Sequence, residues 1–441
     1  MKSPMEILDI LGIGFGPANI ALAIALEELA PSLTVHFIET RPSPLWQPNM
    51  LLPGSDIQNH PLRDLVTPRN PRSRYSFTNF LFENQRLYEH LNLPLHYPLR
   101  LEYAQYVTWA ANFFNDQVTY NCEALSIETV ERSDDADKIQ YFKVQAANGQ
   151  LYYARSLVLA PGRTPNIPSP FAGLVDNRIH HLNQYLPALK ESIERTDGKC
   201  RMAVIGGSQS AVEIMLHASD QTGVKEIVGY TRNFGYRQKD TSPFSEEVYF
   251  PEFVDKFYSA RPEQKNWLRK ELIHTNYSAS DSDVLHRLYI KQYEQRLNNS
   301  INITLKTCHT IINCAPQPDG IILKSCDALE GHTLTNKFDL VILATGFLNL
   351  GLGVHEEPCP PLLAPMIANK DQPSTIQIAR DYRINLNGTL PAYLNGLCES
   401  SHGMGDAGSF SLLALRSKTI VNSLRTQLLN SDGYETPAEL H

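Results

Sequence analysis

The sequence predicts an α/β fold in which one strand–turn–helix unit is nested inside another. Three observations predict it. An apolar run at residues 10–13 passes through a glycine turn into a helical run at 20–29, and the same order recurs at 200–217. Two further runs, 156–162 and 338–347, each lead a buried strand into a glycine turn. We therefore expect two Rossmann-like domains, the second inserted into the first.

The first glycine turn has the residues of a dinucleotide site. Gly14 and Gly16 allow a sharp turn, and only a bare backbone lets a pyrophosphate approach the amides at a helix N-terminus. Glu39 follows the second strand, where a carboxylate can accept a hydrogen bond from a ribose hydroxyl. Asn19 replaces the third glycine of the fingerprint. The match is therefore recognisable but imperfect.

Irregular and helical segments follow this first unit. Residues 41–54 and 56–77 are rich in proline or polar residues, and long loops of this kind usually carry a site. The later spacing predicts helices at 78–90 and 101–114, then a β-meander at 118–130, 141–147 and 152–159.

The second glycine turn indicates a different nucleotide. Gly206, Gly207, Ser208 and Ala211 lie in the turn, and Ser208 stands where the second glycine is usual. Gln209 and Ser210 are further candidates for binding the cofactor. The next strand ends at Arg232 and not at a carboxylate. An arginine there suits a ribose 2′-phosphate, which favours NADPH over NADH. Arg237 is a second candidate for that phosphate.

The pattern divides the chain into three parts. Residues 1–168 form the first part of an FAD-binding domain, and residues 169–345 form an NADPH-binding domain. A polar, aromatic and largely helical stretch at about 240–300 is predicted to be a substrate-binding insertion. Residues 346–441 return to the first domain and to the substrate site. Strands are expected at 304–312 and 321–324 in the second domain.

Composition excludes several functional classes. The 441 residues carry a net charge of −8 and no basic block, which argues against nucleic-acid binding. No apolar run is long enough to span a bilayer, and the start of the chain lacks a signal layout, so we expect a cytoplasmic protein. The seven cysteines have no CxxC spacing, which predicts neither a zinc site nor a redox dithiol. Two nucleotide sites without a redox cysteine pair suggest that electrons pass from NADPH through FAD to oxygen.

An ordered set of motifs carries a resemblance to a known family. It consists of residues 14–19, Trp46 with Met50, Gln58, residues 63–65, 71–73 with Phe77, 206–213, 242–244, 275–278, 344–347, and 401–403 through Arg416. In these motifs the chain resembles the flavin-dependent N-hydroxylating monooxygenases of siderophore biosynthesis, which act on ornithine, lysine or diamines. The similarity covers almost the whole chain.

The resemblance implies a cofactor chemistry and a set of site residues. NADPH would reduce FAD, oxygen would add to give a C4a-hydroperoxyflavin, and a neutral primary amine would take its distal oxygen and become a hydroxylamine. The family implies that Gln58 lies against the flavin, that Asn276 contacts the nicotinamide cofactor and the substrate, and that Ser411 lies near the substrate. It also implies cofactor contacts for Pro17, Trp46, Thr345, Gly346 and Asp406, and a homo-oligomer, either a tetramer or a dimer.

Two departures from the amino-acid hydroxylases bear on the substrate. Arg63 stands where those enzymes commonly have a lysine for the substrate carboxylate, and Glu246 stands where they commonly have asparagine. A carboxylate repels a substrate carboxylate but pairs with a second ammonium group. The sequence therefore favours a diamine, with putrescine first, cadaverine next and histamine possible.

Alternatives to this interpretation remain open. An ornithine or lysine hydroxylase would use Arg63 in place of the lysine, and in a third arrangement Arg63 and Glu246 would pair with each other. Ser409 could replace Ser411, because the segment between Gly405 and Ser411 is one residue longer than the family pattern. From a different class, the chain could be a non-catalytic NADPH-binding flavoprotein that acts as a sensor.

Overall fold

The computed structural model describes residues 6–134, 137–300, 302–367, 375–386, 390–406 and 409–429. Across these ranges no helix combines the length and the apolar character that a membrane span requires.

The first third of the chain forms a strand–turn–helix unit, three further helices and a meander. Its elements are β1 (Ile7–Ile13), α1 (Pro17–Leu29), β2 (Val35–Ile38), α2 (Phe77–Glu83), α3 (Leu87–Leu91), α4 (Arg100–Asn112), β3 (Val118–Thr119), β4 (Ala124–Asp134), β5 (Asp137–Ala146) and β6 (Leu151–Leu159). The single helix predicted at 78–90 is wrong. Gln85 has a φ of +57°, which no α-helix accommodates, so the chain forms two short helices there.

The middle third contains the second unit with its insertion. Its elements are β7 (Ile179–His181), α5 (Tyr185–Arg195), β8 (Cys200–Ile205), α6 (Gln209–Ser219), β9 (Val224–Tyr230), α7 (Pro251–Ser259), α8 (Pro262–Glu271), α9 (Ser282–Leu297), β10 (Ile303–Lys306), β11 (His309–Gln317), β12 (Gly320–Asp327), β13 (Thr333–Phe338) and β14 (Leu340–Leu343). The insertion is helical, as predicted. The continuous strand predicted at 304–312 is wrong, because Cys308 turns the chain with a φ of +57°.

The remaining described residues form short strands and a long final helix. These elements are β15 (Asn349–Leu350), β16 (Glu356–Glu357), α10 (Ala364–Ile367), β17 (Arg383–Ile384), β18 (Ala392–Leu394), α11 (Glu399–His402) and α12 (Leu413–Leu429).

The first sheet combines strands from both ends of the chain. Its order is β17-β18-β6-β1-β2-β3, and β5 joins β6 and β4 joins β5 in the antiparallel meander. From β18 to β3 the strands are parallel, and β18 pairs directly with β6. Helix α1 packs on this sheet and against α12, which buries every residue from 19 to 26. A helix buried all round needs an apolar sequence, as this one has.

The second sheet contains only parallel strands, in the order β10-β9-β8-β14-β7. Its central strands β8 and β14 are almost wholly buried, which explains why they read as continuous apolar runs. Strands β11, β12 and β13 form a separate antiparallel sheet. The membership of the two large sheets supports our proposed domain division at residues 168 and 345.

Candidate functional site

A cavity of about 2900 Å³ connects the two glycine turns with the helical insertion. This volume is several times that of a pocket for one drug-sized ligand. Most residues singled out by the sequence lie in its wall: Gly14, Gly16, Pro17, Glu39, Trp46, Gln58, Arg63, Gly206, Ser208, Gln209, Ser210, Arg232, Glu246, Asn276, Thr345, Gly346 and Ser411. Asn19, Arg237 and Asp406 do not line this cavity, and their contact with a cofactor stays a prediction.

The first glycine turn leaves the N-terminus of α1 open to the cavity. Gly14 has a φ of +85°, and a Cβ atom there would lie 2.3 Å from the carbonyl oxygen of Ala160. At Gly16, the N-cap, a Cβ atom would meet nothing within 4 Å, so the glycine leaves open space. No side chain caps the helix. The free amides and the positive end of the helix dipole fit the pyrophosphate of FAD.

Glu39 lies beside this turn, directly after β2. Its Oε2 accepts a hydrogen bond from the Phe15 N–H at 2.6 Å, and its Oε1 accepts one from the Arg41 N–H at 2.9 Å. These bonds hold the carboxylate on the cavity wall. A dinucleotide fold places its ribose at the same end of this strand.

Asn19 and Asp406 belong to one buried chain of hydrogen bonds. The Asn19 side chain donates to the Gly14 carbonyl at 2.7 Å and accepts from Asn395 at 3.0 Å. Asn395 accepts from Arg416, whose Nη1 lies 2.8 Å from Asp406 Oδ1. This buried chain of polar groups fastens the first turn to the last helix, so asparagine at the third fingerprint position has a packing role.

The second glycine turn repeats the geometry of the first. Gly206 has a φ of +154°, and a Cβ atom there would lie 2.3 Å from the Ala344 carbonyl oxygen. Ser208 is the N-cap of α6, with an extended φ of −125° that any residue can adopt. The missing second glycine therefore causes no backbone strain. The open start of α6 fits the pyrophosphate of NADPH.

Only one of the two predicted phosphate-binding arginines faces this turn. Arg232 is exposed on the cavity wall directly after β9. Arg237 lies outside the wall, where its Nη1 is 2.8 Å from Nε2 of His274. Sequence distance from the strand could not separate them, because the intervening loop turns Arg237 away.

The two closing turns meet each other. Gly162 and Gly346 have φ values of +78° and +72°. The Asn166 N–H donates to the Gly346 carbonyl at 3.0 Å, and the Thr345 hydroxyl donates to the Asn166 carbonyl at 2.6 Å. The places where the chain enters and leaves the second unit are thus fastened side by side, on the wall of the cavity.

Gln58 is held by two carboxylates. Its backbone has a φ of +53°, its N–H donates to Asp56 Oδ1 at 3.0 Å, and its Nε2 donates to Asp281 Oδ2. Burial, together with the nearby carboxylates of Asp281 and Glu213, raises the pKa of Asp56 to about 6. Burial also raises the pKa of Asp281.

Arg63 and Glu246 lie half-buried on the wall beside the insertion. Among the described residues they form no ion pair with each other, so the predicted alternative of mutual pairing is wrong. The Arg63 guanidinium lies 5.7 Å from the ring centroid of Tyr249. The pKa of the Tyr97 hydroxyl is raised by burial and then by the charge of Glu246. The charges of Glu246 and Arg63 both act on Tyr97 and Tyr249, so this part of the wall carries a cation and an anion.

Two serines and an asparagine complete this region. Ser411 donates to Asn59 Oδ1 at 3.2 Å and accepts from the Ser409 hydroxyl at 2.8 Å, and both serines line the cavity. Asn276 lies between two anchored neighbours. The Thr275 hydroxyl donates to the Leu272 carbonyl at 2.7 Å, and the Tyr277 hydroxyl donates to the buried Glu399.

Sequence reasoning missed several residues of this site. Asp56, Tyr97, Tyr249 and Asp281 were given no role. Asp281 follows the motif at 275–278 by three residues, which could have drawn attention to it. Nothing in the spacing indicates that residue 281 meets residue 58, since more than two hundred residues separate them.

Comparisons with known proteins agree on one family. A family model described as L-lysine 6-monooxygenase/L-ornithine 5-monooxygenase matches residues 6–349. An L-ornithine N(5)-monooxygenase of Pseudomonas aeruginosa is 34% identical over 427 residues, which cover 95% of this chain and 94% of that protein. The structure is similar to that of ornithine hydroxylase (PvdA) from P. aeruginosa, with 33% identity, a TM-score of 0.84, and coverage of 96% and 100% of the two chains. An ornithine N-hydroxylase of Kutzneria sp. 744, in a structure with reduced FAD, NADP⁺ and L-ornithine, has 29% identity, a TM-score of 0.85 and the same coverage.

Proposed function

Because the chain belongs to the L-lysine 6-monooxygenase/L-ornithine 5-monooxygenase family, we propose that it hydroxylates the side-chain amine of L-ornithine for siderophore synthesis. The chain is an NADPH-dependent flavin N-monooxygenase, and its cofactors are FAD and NADPH. It is therefore not a sensor without catalysis. The amine substrate and oxygen fit this family. Oligomeric state stays a prediction, which light scattering of the purified holoenzyme would test.

The proposal replaces the diamine that the sequence favoured. The relatives that are 33–34% identical to this chain are named for ornithine, whereas a cadaverine monooxygenase with a similar structure is only 22% identical. Glu246 suggested a diamine because a carboxylate would repel that of an amino acid. The observation that carries the new proposal is that Arg63 lines the same wall as Glu246. A cation and an anion complement the α-carboxylate and the α-ammonium of an amino acid.

Residues of the chain would then orient the substrate and exclude water. Arg63 would bind the α-carboxylate, and Glu246 would bind the α-ammonium. Asn276 and Ser411 would place the side-chain amine toward the flavin. The amine must be neutral to react, and a site depleted of water lowers the pKa of an ammonium group. Tyr249, buried beside Arg63, helps to keep water from the site.

The cofactor residues divide between the two turns. Gly14, Gly16, Pro17, Glu39, Trp46 and Gln58 would hold FAD, and Gly206, Ser208, Gln209, Ser210 and Arg232 would hold NADPH. Thr345 and Gly346 line the passage between them. When bound, the reduced flavin supplies activated oxygen to the amine.

An amine panel with two matched variants tests the proposal. The holoenzyme is assayed for hydroxylamine with ornithine, lysine, putrescine, cadaverine and histamine. We expect ornithine to have the highest kcat/KM. E246Q should raise the KM for ornithine at least tenfold, because a buried ammonium would lose its charged partner. E247Q, at the exposed neighbouring position, is the control and should behave as the parent.

A diamine remains the second candidate, because Glu246 is half-buried and its charge acts on Tyr97. R63M separates the two. If ornithine is the substrate, R63M raises its KM at least tenfold. If a diamine is the substrate, R63M leaves its KM unchanged or lowers it, since a repelling cation is gone. Turnover of putrescine equal to or above that of ornithine would refute the proposal.

A further inference from the structure

A closed ring of hydrogen bonds connects Gln58 with the second glycine turn. The Asp281 N–H donates to Gln209 Oε1 at 2.8 Å, and Gln209 Nε2 donates to Glu213 Oε1 at 2.9 Å. Two bonds of 2.9 Å join Glu213 to Arg100, and Arg100 Nη2 donates to the Asp56 carbonyl at 3.0 Å. The two bonds from Gln58 to Asp56 and Asp281 complete the ring.

The ring joins the two nucleotide sites. Gln58, Asp56 and Arg100 belong to the first part of the chain, whereas Gln209, Glu213 and Asp281 belong to the second. Gln209 is the first residue of α6, directly after the turn that would hold NADPH. A displacement of that turn therefore reaches Gln58 through a single intermediate residue, Asp281.

Gln58 has a conformation that its neighbours must maintain. A φ of +53° is uncommon for a residue with a side chain, because the Cβ atom then lies close to the following carbonyl oxygen. The two carboxylates that bind it are desolvated, as their raised pKa values show. Strained residues held by surrounding groups occur mostly at functional sites. The ring is therefore a device that fixes one side chain on the wall of the cavity.

We propose that Asp281 is a positioning residue that orients the Gln58 amide toward FAD and makes this orientation depend on the NADPH turn at Gln209. The inference rests on the proposed function for the contact between Gln58 and the flavin. Asp281 itself does not react. Its carboxylate oxygen accepts a hydrogen bond from Gln58 and so favours one orientation of the amide. Its N–H donates to Gln209, so its position depends on that of Gln209.

Four variants of the holoenzyme test the role of Asp281. D281L removes the acceptor, D281N keeps an acceptor oxygen without the charge, Q58L removes the amide, and D281L/Q58L removes both. D283N is the matched control, because Asp283 is exposed on the same helix and does not bond to Gln58. The readouts are the fraction of NADPH recovered as hydroxylamine, with the remainder as hydrogen peroxide, and the change in the visible absorption of bound FAD on NADP⁺ addition.

We expect D281L to lower the hydroxylamine fraction at least fivefold while the KM for ornithine changes less than twofold. D281N should recover most of that fraction, because an amide oxygen can still accept from Gln58. In the Q58L background, D281L should lower the hydroxylamine fraction by less than a further twofold. The NADP⁺-induced change in flavin absorption should be lost in D281L and kept in D283N.

Several outcomes would overturn the inference. One is a hydroxylamine fraction in D281L equal to that of the parent, and another is a flavin response to NADP⁺ in D281L equal to that of the parent. A third is a fall in the hydroxylamine fraction from Q58L to D281L/Q58L as large as the fall from the parent to D281L. If D281L is not recovered as a folded holoenzyme, D281S, whose side chain is too short to reach Gln58, takes its place. If the parent hydroxylates no amine of the panel, the proposed function fails, while the flavin response still decides the inference.

Discussion

The substitution D406N should destabilise the first sheet and its helices by about 3–5 kcal/mol. The side chains of Asp406 and Arg416 are 0% and 1% exposed, and Nη1 lies 2.8 Å from Oδ1. A guanidinium cannot lose its proton, so removal of the carboxylate charge leaves a buried cation with neutral acceptors alone. One of these is Asn395, at 2.9 Å.

The double variant D406L/R416M provides the internal control. It removes both charges, and the desolvation of a buried pair offsets much of its attraction. It should therefore lose less than half as much stability as D406N. The difference between the two variants measures the cost of an uncompensated charge, independently of the lost packing.

Urea unfolding of the FAD-saturated protein, followed by tryptophan fluorescence, measures both values. Trp46 and Trp109 lie in the first part of the chain, and Trp46 packs on Phe410 at a centroid distance of 5.2 Å. Trp267 is 62% exposed and should report little. FAD is kept saturating, since its binding shifts apparent stability. A loss below about 1 kcal/mol in D406N, or an equal loss in both variants, would refute the reasoning.

Three further predictions concern the turns and the ring. G16A should fold normally but bind FAD at least tenfold more weakly, because its methyl group would enter the open space beside the first glycine turn. G14A should fail to fold stably, because its Cβ atom would lie 2.3 Å from a carbonyl oxygen. A titration that gives equal FAD affinities for G16A and the parent would contradict this prediction. R232A should lower the preference for NADPH over NADH at least tenfold in steady-state kinetics, and R237A should not. A loss of this preference in R237A but not in R232A would exclude Arg232 as the residue that binds the 2′-phosphate. In the folded protein the pKa of Asp56 is raised to about 6. The contribution of the protonated Asp56 side chain to stability is therefore complete below about pH 4 and is lost as the pH rises through 6. In urea unfolding, D56N should consequently be more stable than the parent by about 1–2 kcal/mol at pH 8, a value reduced because Asp56 is partly exposed, and equal to the parent at pH 4. The same difference in stability at both pH values would argue against burial of this carboxylate.

The parts of the fold that local patterns determine could be predicted from the sequence. Gly14 and Glu39 belong to one strand–turn–helix–strand unit whose spacing follows from backbone geometry, and the structure places both on the cavity wall. The nested arrangement was equally readable, because each closing strand ends in its own glycine turn. Where a single residue changes the backbone direction, as Gln85 does, the periodicity of the neighbours conceals the break.

Contacts between distant segments could not be predicted in the same way. Neither Gln58 nor Asp281 has an unusual local sequence, and their meeting depends on how two sheets pack. The choice of substrate could not be made from the sequence for a related reason. The effect of Glu246 on a substrate depends on where its charge lies relative to Arg63, which the spacing of residues does not give. Arg237 was plausible by distance from the strand, and the loop between them turned it away.

The position of β18 has a consequence for how the protein reaches its native state. This strand completes the first sheet beside β6, although more than two hundred residues lie between them. During synthesis the inserted unit can fold before β18 exists, because the five strands of its parallel sheet all lie between residues 179 and 343. The first unit cannot be completed until the last strand and helix are made. Until then β18 does not cover the edge of β6, and α12 does not cover the face of α1. Non-local pairing of this kind is slow and exposes aggregation-prone edges. We therefore expect the N-terminal segment of this enzyme to become native only after β18 and α12 have been made.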